Sequence, residues 1–179
     1  MKNQVNTAQE TLNNVVITDK TQILSITPEK ASRIKSLRIE NQIIDQETFF
    51  DFKKFLSSLG KINSLYFVKC QFPKNSSFPS ELLRSVDSVP IIGIVNSNLS
   101  ESSIEDIIWP IRDWLSVDTL DLTGNKIGDD SESFLGFLKN EICGVISIQN
   151  LILTGNDIPL NYQNKITELM KRRGFNVIY

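Results

Sequence analysis

The residues best suited to hold a phosphate group or a metal ion lie in two copies of one tetrapeptide. Leu-Thr-Gly-Asn occurs at 122–125 and again at 153–156, each time at the end of a segment that reads as a strand. Gly, Asn and Asp crowded together after a strand could form a polar loop around such a ligand. Neither copy, however, continues into the GxxxxGK[ST] or GxGxxG pattern of phosphate-binding loops. An architectural role is therefore the alternative explanation for the repetition.

The other groups that could do chemistry are few. The chain contains no histidine, which removes His-based triads and His metal ligands. Its two cysteines, Cys70 and Cys143, are too few and too distant for a disulfide framework or a zinc site, and neither has an obvious cationic neighbour. Asp129 and Asp130 could touch a cation, but two carboxylates also suit the solvated start of a helix. We therefore expect a protein that is not an enzyme, with no catalytic residue, no metal and no cofactor.

Length and charge narrow the class of protein further. The 179 residues are enough for one domain with a substantial core. The 19 Lys and Arg residues against 21 Asp and Glu residues give a formal net charge of -2, so we expect no nucleic-acid partner. The chain has neither a signal-peptide core nor an apolar run of about 18 residues, so the sequence predicts a soluble, intracellular protein that does not enter a membrane.

The two Leu-Thr-Gly-Asn copies belong to a longer pattern that recurs five times, which we call the repeat frame. With position 0 at Leu120 and Leu151, apolar residues occupy positions −3, 0, +2 and +7. The same frame fits three upstream segments, with position 0 at Leu37, Leu65 and Ile92, so the spacings are 28, 27, 28 and 31 residues. All four apolar positions are filled in every copy. Position +5 is occupied by Gln42, Cys70, Ser97, Asn125 and Asn156.

Each position of the repeat frame has a physical reason. Apolar residues at 0 and +2 lie on the same face of a strand, where they can meet their equivalents from neighbouring units. At position +5 the chain turns away, and a short polar side chain there can bond main-chain groups that have left the sheet. Between the strands, apolar residues such as Phe49, Phe52 and Phe55 recur every three or four positions, which predicts a helix.

This pattern resembles the leucine-rich repeat, whose period is roughly 20 to 29 residues. The longer spacing and the helical second half resemble the ribonuclease-inhibitor-like subclass, over residues 34 to about 173. The resemblance implies an α/β fold: a right-handed solenoid in the shape of a horseshoe arc, with parallel strands on the concave face and helices on the convex face. Gln42 and Ser97 depart from the Asn or Cys that is usual at their position.

The ends of the chain fit the frame less well and are expected to cap the array, since the end units of a solenoid expose apolar surface. For residues 1–33 the sequence predicts an N-terminal cap, formed by a strand pair or by an irregular segment with a short helix. About the first 12 residues are expected to be mobile. At 174–179, alternating Phe175, Val177 and Tyr179 predict a final capping strand that pairs with the fifth repeat.

Positions −1, +1 and +3 point to the other face of each strand, where a partner could bind. Tyr66, Val68, Ile91 and Val95 give this face an apolar centre beside charged residues, which is the anatomy of a protein interface. The alternatives are scattered exposed residues that nothing covers, or a site around Trp109 and Trp114 on the convex face. The predicted partner-binding residues are Arg38, Glu40, Tyr66, Val68, Ile91, Val95, Asp121, Thr123 and Ile152.

The resemblance implies a monomeric interaction scaffold that binds a protein partner through its concave face. Abundant Ile, Asn and Lys suggest an AT-rich genome, and the short array is similar to leucine-rich-repeat effectors that intracellular bacterial pathogens deliver into host cells. Such a protein would be secreted without a Sec signal and would act on a host protein. The alternative is a regulatory or structural subunit of a larger complex whose partner carries the catalysis.

Overall fold

The computed structural model describes residues 13–74, 76–112, 114, 117–128, 130–142 and 148–179. Three expectations concern residues outside these ranges. They are the mobile first 12 residues, the lack of a disulfide, zinc or cationic partner for Cys143, and the helix-start role of Asp129. The other expectations fall on described residues.

Seven strands in the described residues form one open sheet, in which each strand pairs in parallel with the next strand along the chain. The position 0 residues are direct neighbours across the sheet, as Leu37 and Leu65 illustrate, so the repeat frame is the register of the sheet. This confirms the α/β class and the parallel sheet. The strands are β1 (Asn14–Ile17), β2 (Ser36–Glu40), β3 (Ser64–Val68), β4 (Ile91–Val95), β5 (Val117–Asp121), β6 (Ile148–Ile152) and β7 (Asn176–Ile178).

β1 extends the sheet beyond the five units that the sequence revealed. Val15 lies opposite Leu37 and Ile17 opposite Ile39, so the two residues occupy positions 0 and +2 of the same frame. Where the sequence predicts either a strand pair or an irregular segment with a short helix, the described part contains a single strand followed by two short helices, α1 (Thr21–Leu24) and α2 (Pro28–Ala31). Gln22 stands where the frame has its apolar +7 residue, and the next residue, Ile23, is buried instead.

Helices follow the inner strands, and an aspartate side chain caps two of them. The Asp45 carboxylate accepts a hydrogen bond from Thr48 N at 2.9 Å, and that of Asp130 accepts one from Ser133 N at 3.0 Å. Asp130 therefore caps a helix. The helices are α3 (Gln46–Leu56), α4 (Phe78–Leu83), α5 (Glu101–Arg112), α6 (Ser131–Phe137), which continues into a π-helical turn (Leu138–Ile142), and α7 (Leu160–Lys171).

One face of the sheet is buried along the inner strands, β2 to β6. The side chains at positions 0 and +2 of β2 to β6 are at most 1% exposed, and they share one core with helix residues such as Phe52, Ile107 and Phe134. From α3 to α7 each helix contacts the next one along the chain, so the helices form a layer that runs parallel to the row of strands. The opposite face, which carries positions −1, +1 and +3, has no such layer among the described elements and is partly exposed.

Candidate functional site

The candidate site is the open face of the sheet, where the predicted partner-binding residues form rows across the strands. The central row is made by position +1, in which Arg38, Tyr66, Gly93, Asp121 and Ile152 are successive neighbours in the register. A second row contains Glu40, Val68 and Val95 at position +3. Ile91 lies at position −1 opposite Thr119, and Thr123 follows the end of β5.

The centre of the open face is the aromatic ring of Tyr66, which lies over Gly93 on the next strand. A Cβ atom at position 93 would be 2.1 Å from Tyr66 Cδ1 and 2.3 Å from Cε1, so the ring occupies the space of the missing side chain. On the other side, the guanidinium carbon of Arg38 is 5.9 Å from the ring centroid, within cation–π distance. The ring is therefore held between two neighbouring strands.

The environment of Tyr66 also affects its phenol. Burial raises the pKa of Tyr66, and the negative charge of Asp121 raises it further, while Arg38 lowers it. The phenol therefore stays protonated, and able to donate a hydrogen bond, at any pH near neutrality. A half-buried aromatic ring with a polar tip is a common anchor in protein interfaces.

The charged residues of the open face bond to close neighbours. Arg38 Nε donates to Glu40 Oε1 on the same strand. Asp121 Oδ1 accepts from Thr123 N at 3.0 Å and from Thr123 Oγ1 at 2.6 Å, so this carboxylate also shapes the turn that follows β5. These contacts fix the positions of the charges on both sides of Tyr66.

The exposure of the apolar residues differs from one to another. Ile91, Val95 and Ile152 are partly exposed, as a binding surface requires, whereas Val68 is only 6% exposed and has little surface left for a partner. Val16 and Ile178, at 50% and 47% exposure, continue the central row at its two ends. Sequence reasoning missed both, although their alternation with Val15 and Val177 was the available signal.

The two Asn side chains of Leu-Thr-Gly-Asn bond to the main chain of neighbouring repeats. Asn125 Oδ1 accepts from Ser97 N at 3.0 Å and from Leu99 N at 3.1 Å. Its Nδ2 donates to Ile94 O at 2.6 Å and to Leu122 O at 2.8 Å. Because these bonds use both ends of a buried amide, Asn125 is a structural link between units and has no group free for a ligand.

The equivalent residues of the other units make similar links. Asn156 Nδ2 donates to Leu122 O and to Leu153 O, both at 2.9 Å. Gln42 Nε2 donates to the Thr18 carbonyl, 2.7 Å away, and so reaches back to the turn after β1. These side chains, at position +5, form a row of hydrogen bonds that crosses the sheet at the carboxyl ends of its strands. We call this row the ladder.

Cys70 and Ser97 occupy the same ladder. Cys70 N donates to Ser97 Oγ at 3.1 Å, and the Cys70 thiol lies 3.5 Å from the Ile39 carbonyl that it faces. Ser97 Oγ in turn donates to Val95 O at 3.0 Å. Burial raises the pKa of the Cys70 thiol, so it is a weak nucleophile at neutral pH.

The Gly of each Leu-Thr-Gly-Asn copy lies at position +4, where every unit from β2 to β6 turns through a left-handed conformation. The φ angles are 67° at Gly124 and 68° at Gly155, and 55°, 53° and 51° at Asn41, Lys69 and Asn96. Only Gly adopts this conformation without steric cost, and Asn adopts it more readily than Lys. At Gly124 there is a second reason, since a Cβ there would lie 1.9 Å from Asn96 Oδ1.

The structure gives less support to two other candidate sites, the tryptophan pair on the convex face and a metal site. Trp109 is 51% exposed on α5, whereas Trp114 is partly buried and packs against the core. In the part of the chain that the structure describes, no group of three or more His, Cys, Asp or Glu residues could hold a metal ion. The described polar side chains that sequence reasoning first associated with a ligand thus bond within the scaffold.

Fold and open face together define a class. Over its described residues, the protein is an α/β protein with an open parallel sheet that helices cover on one face. The sequence matches no model of a known protein family and no curated protein. Within the described ranges, none of the helices has the length and apolar character needed to cross a bilayer.

Proposed function

We propose that this protein is a leucine-rich-repeat scaffold of the ribonuclease-inhibitor-like subclass that binds a protein partner and catalyses no reaction itself. The partner would dock on the open face, which is the concave face of the expected arc. The observation that carries the proposal is the central row, in which Tyr66 lies over Gly93 between the charges of Arg38 and Asp121.

The repeated architecture supports the choice of family. Each unit combines a strand, a left-handed turn, a bonded +5 side chain and an outer helix, and successive units pair in one register. Units of this kind cannot bury their apolar face alone, and stacking them creates one continuous core. The uniform scaffold leaves variation to positions −1, +1 and +3, and position +1 carries a different residue in each of the five units.

The composition of the open face supports a protein partner. Tyr and Arg are enriched among residues that dominate binding energy in protein interfaces, and such anchors usually lie at the centre of the contact area. Tyr66 is already held in place before binding, which reduces the entropy lost on association. Ile91, Val95 and Ile152 supply partly exposed apolar surface around the central row.

The test is a comparison of two matched tyrosine variants against the partner. Wild-type protein is used to capture partners from a cell lysate, and the affinity of the best partner is then measured for Tyr66→Ala and for Tyr162→Ala, which changes a partly buried tyrosine on α7. We expect a loss of affinity of roughly 30-fold or more for the first variant, as for an interface anchor, and no change for the second.

If the two variants are folded and bind the partner with equal affinity, the open face is not the binding surface. A captured partner that is itself an enzyme, and whose activity depends on this protein, would favour the alternative role of a regulatory subunit. The source of the lysate addresses the effector hypothesis, because an effector should retain a protein from the host cell.

A further inference from the structure

A second feature of the molecule lies away from the centre of the open face, where the chain leaves the carboxyl ends of three strands. The loops after β3, β4 and β5 enclose a cavity of about 370 Å³, which we call the loop cavity. Phe72, Pro79 and Leu99 contribute apolar wall, and its polar wall includes Lys74, Ser76, Ser103 and Lys126. Its volume falls within the range of about 300–1,000 Å³ that is typical of small-molecule sites.

The described charged residues that line the loop cavity carry one sign of charge. Among the described residues that line it there are two lysines and no Asp or Glu. Neither Lys74 nor Lys126 belongs to an ion pair within the described chain. The main chain of Lys126 is fixed at the wall by its N–H, which donates to Leu99 O at 2.8 Å. Two unneutralised ammonium groups at one cavity attract an anion.

The start of α5 adds to this field. Ser100 immediately precedes this 12-residue helix and Ser103 lies in its first turn, and both line the loop cavity with their hydroxyl oxygens 3.3 Å apart. The N-terminal end of a helix carries partial positive charge and stabilises anions. The helix end and the two lysines therefore act in the same direction.

An independent observation comes from Ser76, which lines the same cavity. Its Oγ atom is buried and makes no hydrogen bond. Buried hydroxyl groups nearly always have a partner, because leaving one unbonded costs free energy. Rotation of the Ser76 side chain toward the cavity that the residue lines would let an acceptor oxygen of a ligand there supply the missing partner.

We propose that the loop cavity binds a phosphate group, either as free phosphate or as the phosphomonoester of a small molecule. Lys74 and Lys126 neutralise its charge, and the Ser76 hydroxyl donates a hydrogen bond to one of its oxygens. The volume exceeds what a bare phosphate ion fills, which favours the monoester. This site is separate from Tyr66 and does not depend on the function proposed for the open face.

The experiment is a titration of the full-length protein, followed by calorimetry and by the amide resonances of residues 72–79 and 97–103. The probes are inorganic phosphate, glycerol 3-phosphate and, as the uncharged control, glycerol. We expect saturable shifts in both loops with the two phosphate compounds, weaker at high salt, and none with glycerol. Equal affinity for the two compounds identifies the free ion as sufficient, and tighter binding of the ester identifies a small-molecule site. Absence of saturable binding to either overturns the proposal.

Variants locate the binding. Lys74→Ala and Lys126→Ala should each weaken phosphate binding by roughly tenfold, as expected for loss of one charge-assisted hydrogen bond. The exposed Lys30 in α2 provides the matched control, and Lys30→Ala should bind as the wild type does. Ser76→Ala should keep or raise the melting temperature without phosphate and yet weaken binding. Equal effects of all three lysine variants would mean non-specific attraction to surface charge and would overturn the site.

Discussion

The aromatic ring of Tyr66 lies where the side chain of residue 93 would be if that residue were not glycine. The two positions are direct neighbours on β3 and β4, so the absence of a side chain on one strand sets the orientation of the ring on the other. The proposed binding anchor on the open face is thus positioned by a residue that has no side chain of its own.

This relationship leads to the first prediction, which concerns Gly93→Ala. The added Cβ must displace the ring, so we expect weaker partner binding, although Tyr66 itself is unchanged. Crowding should also reduce the free energy of unfolding by about 1–3 kcal/mol, measured by urea denaturation. The control is Gly136→Ala in α6, where a Cβ meets nothing within 4 Å and should stabilise the helix by about 0.5–1 kcal/mol. Unaltered affinity in folded Gly93→Ala would argue against the ring as the anchor.

The second prediction separates the two Leu-Thr-Gly-Asn copies. Gly155→Ala should cost about 1–2 kcal/mol, the price of a left-handed conformation, because its Cβ would make only ordinary contacts with Gly124. Gly124→Ala should cost more, because its Cβ would also overlap Asn96 Oδ1. Denaturant melts of the two variants give the comparison. Adding Asn96→Gly to Gly124→Ala should recover part of the loss, and no recovery would show that the side-chain overlap is unimportant.

The third prediction concerns the ladder. Asn125→Ala would leave the N–H groups of Ser97 and Leu99 and the carbonyl of Ile94 without their partner, in a buried place. We expect a loss of about 3 kcal/mol or more in the free energy of unfolding, at the upper end for a single substitution. The exposed Asn164 on α7 provides the control, since Asn164→Ala should change stability little. A small effect at Asn125 would mean that water replaces the amide.

The fourth prediction is a pH dependence due to Cys70. Because burial raises the pKa of the thiol in the folded protein, the unfolded chain loses this proton first, at about pH 8.5. The stability contributed by the protonated thiol is therefore complete below that pH and is lost as the pH rises toward the folded-state pKa. The comparison uses two proteins that both carry Cys143→Ser, one with Cys70 and one with Cys70→Ser. As the pH is raised into the alkaline range, the free energy of unfolding measured with urea should fall more steeply in the protein that keeps Cys70. Parallel declines would contradict the assignment.

Much of the fold could be predicted from the regular spacing of apolar residues in the sequence, because these residues are buried. Position 0 is apolar in each unit because it faces the same core, so its spacing along the chain gives the register of β2 to β6. β1 was not recognised as part of the repeat frame because Lys20 and Gln22 stand at its positions +5 and +7, and only 22 residues separate Val15 from Leu37. A short strand followed by an atypical turn has too few of the residues that identify the repeat frame.

The exposure of each residue on the open face was less predictable, since it depends on the orientation of neighbouring side chains. Alternation assigns Tyr66 and Val68 to the same face, but it does not reveal that one remains partly exposed and the other is 6% exposed. The left-handed conformation of Lys69 was equally hidden, because lysine has no preference for it, whereas Gly124 and Gly155 do signal theirs. Contacts across strands, and not the periodicity of any one strand, decide these details.

The strictly sequential order of the strands has a consequence for how such a chain can change in length. Each inner strand pairs only with the strand before it and the strand after it, in one unvarying register. Removing or duplicating one complete unit between equivalent positions would join two compatible edges and leave the remaining pairings as they were. A deletion of part of a unit would instead bring a turn against a strand. Gene segments that encode whole units are therefore the natural increments by which this protein could grow or shrink during evolution.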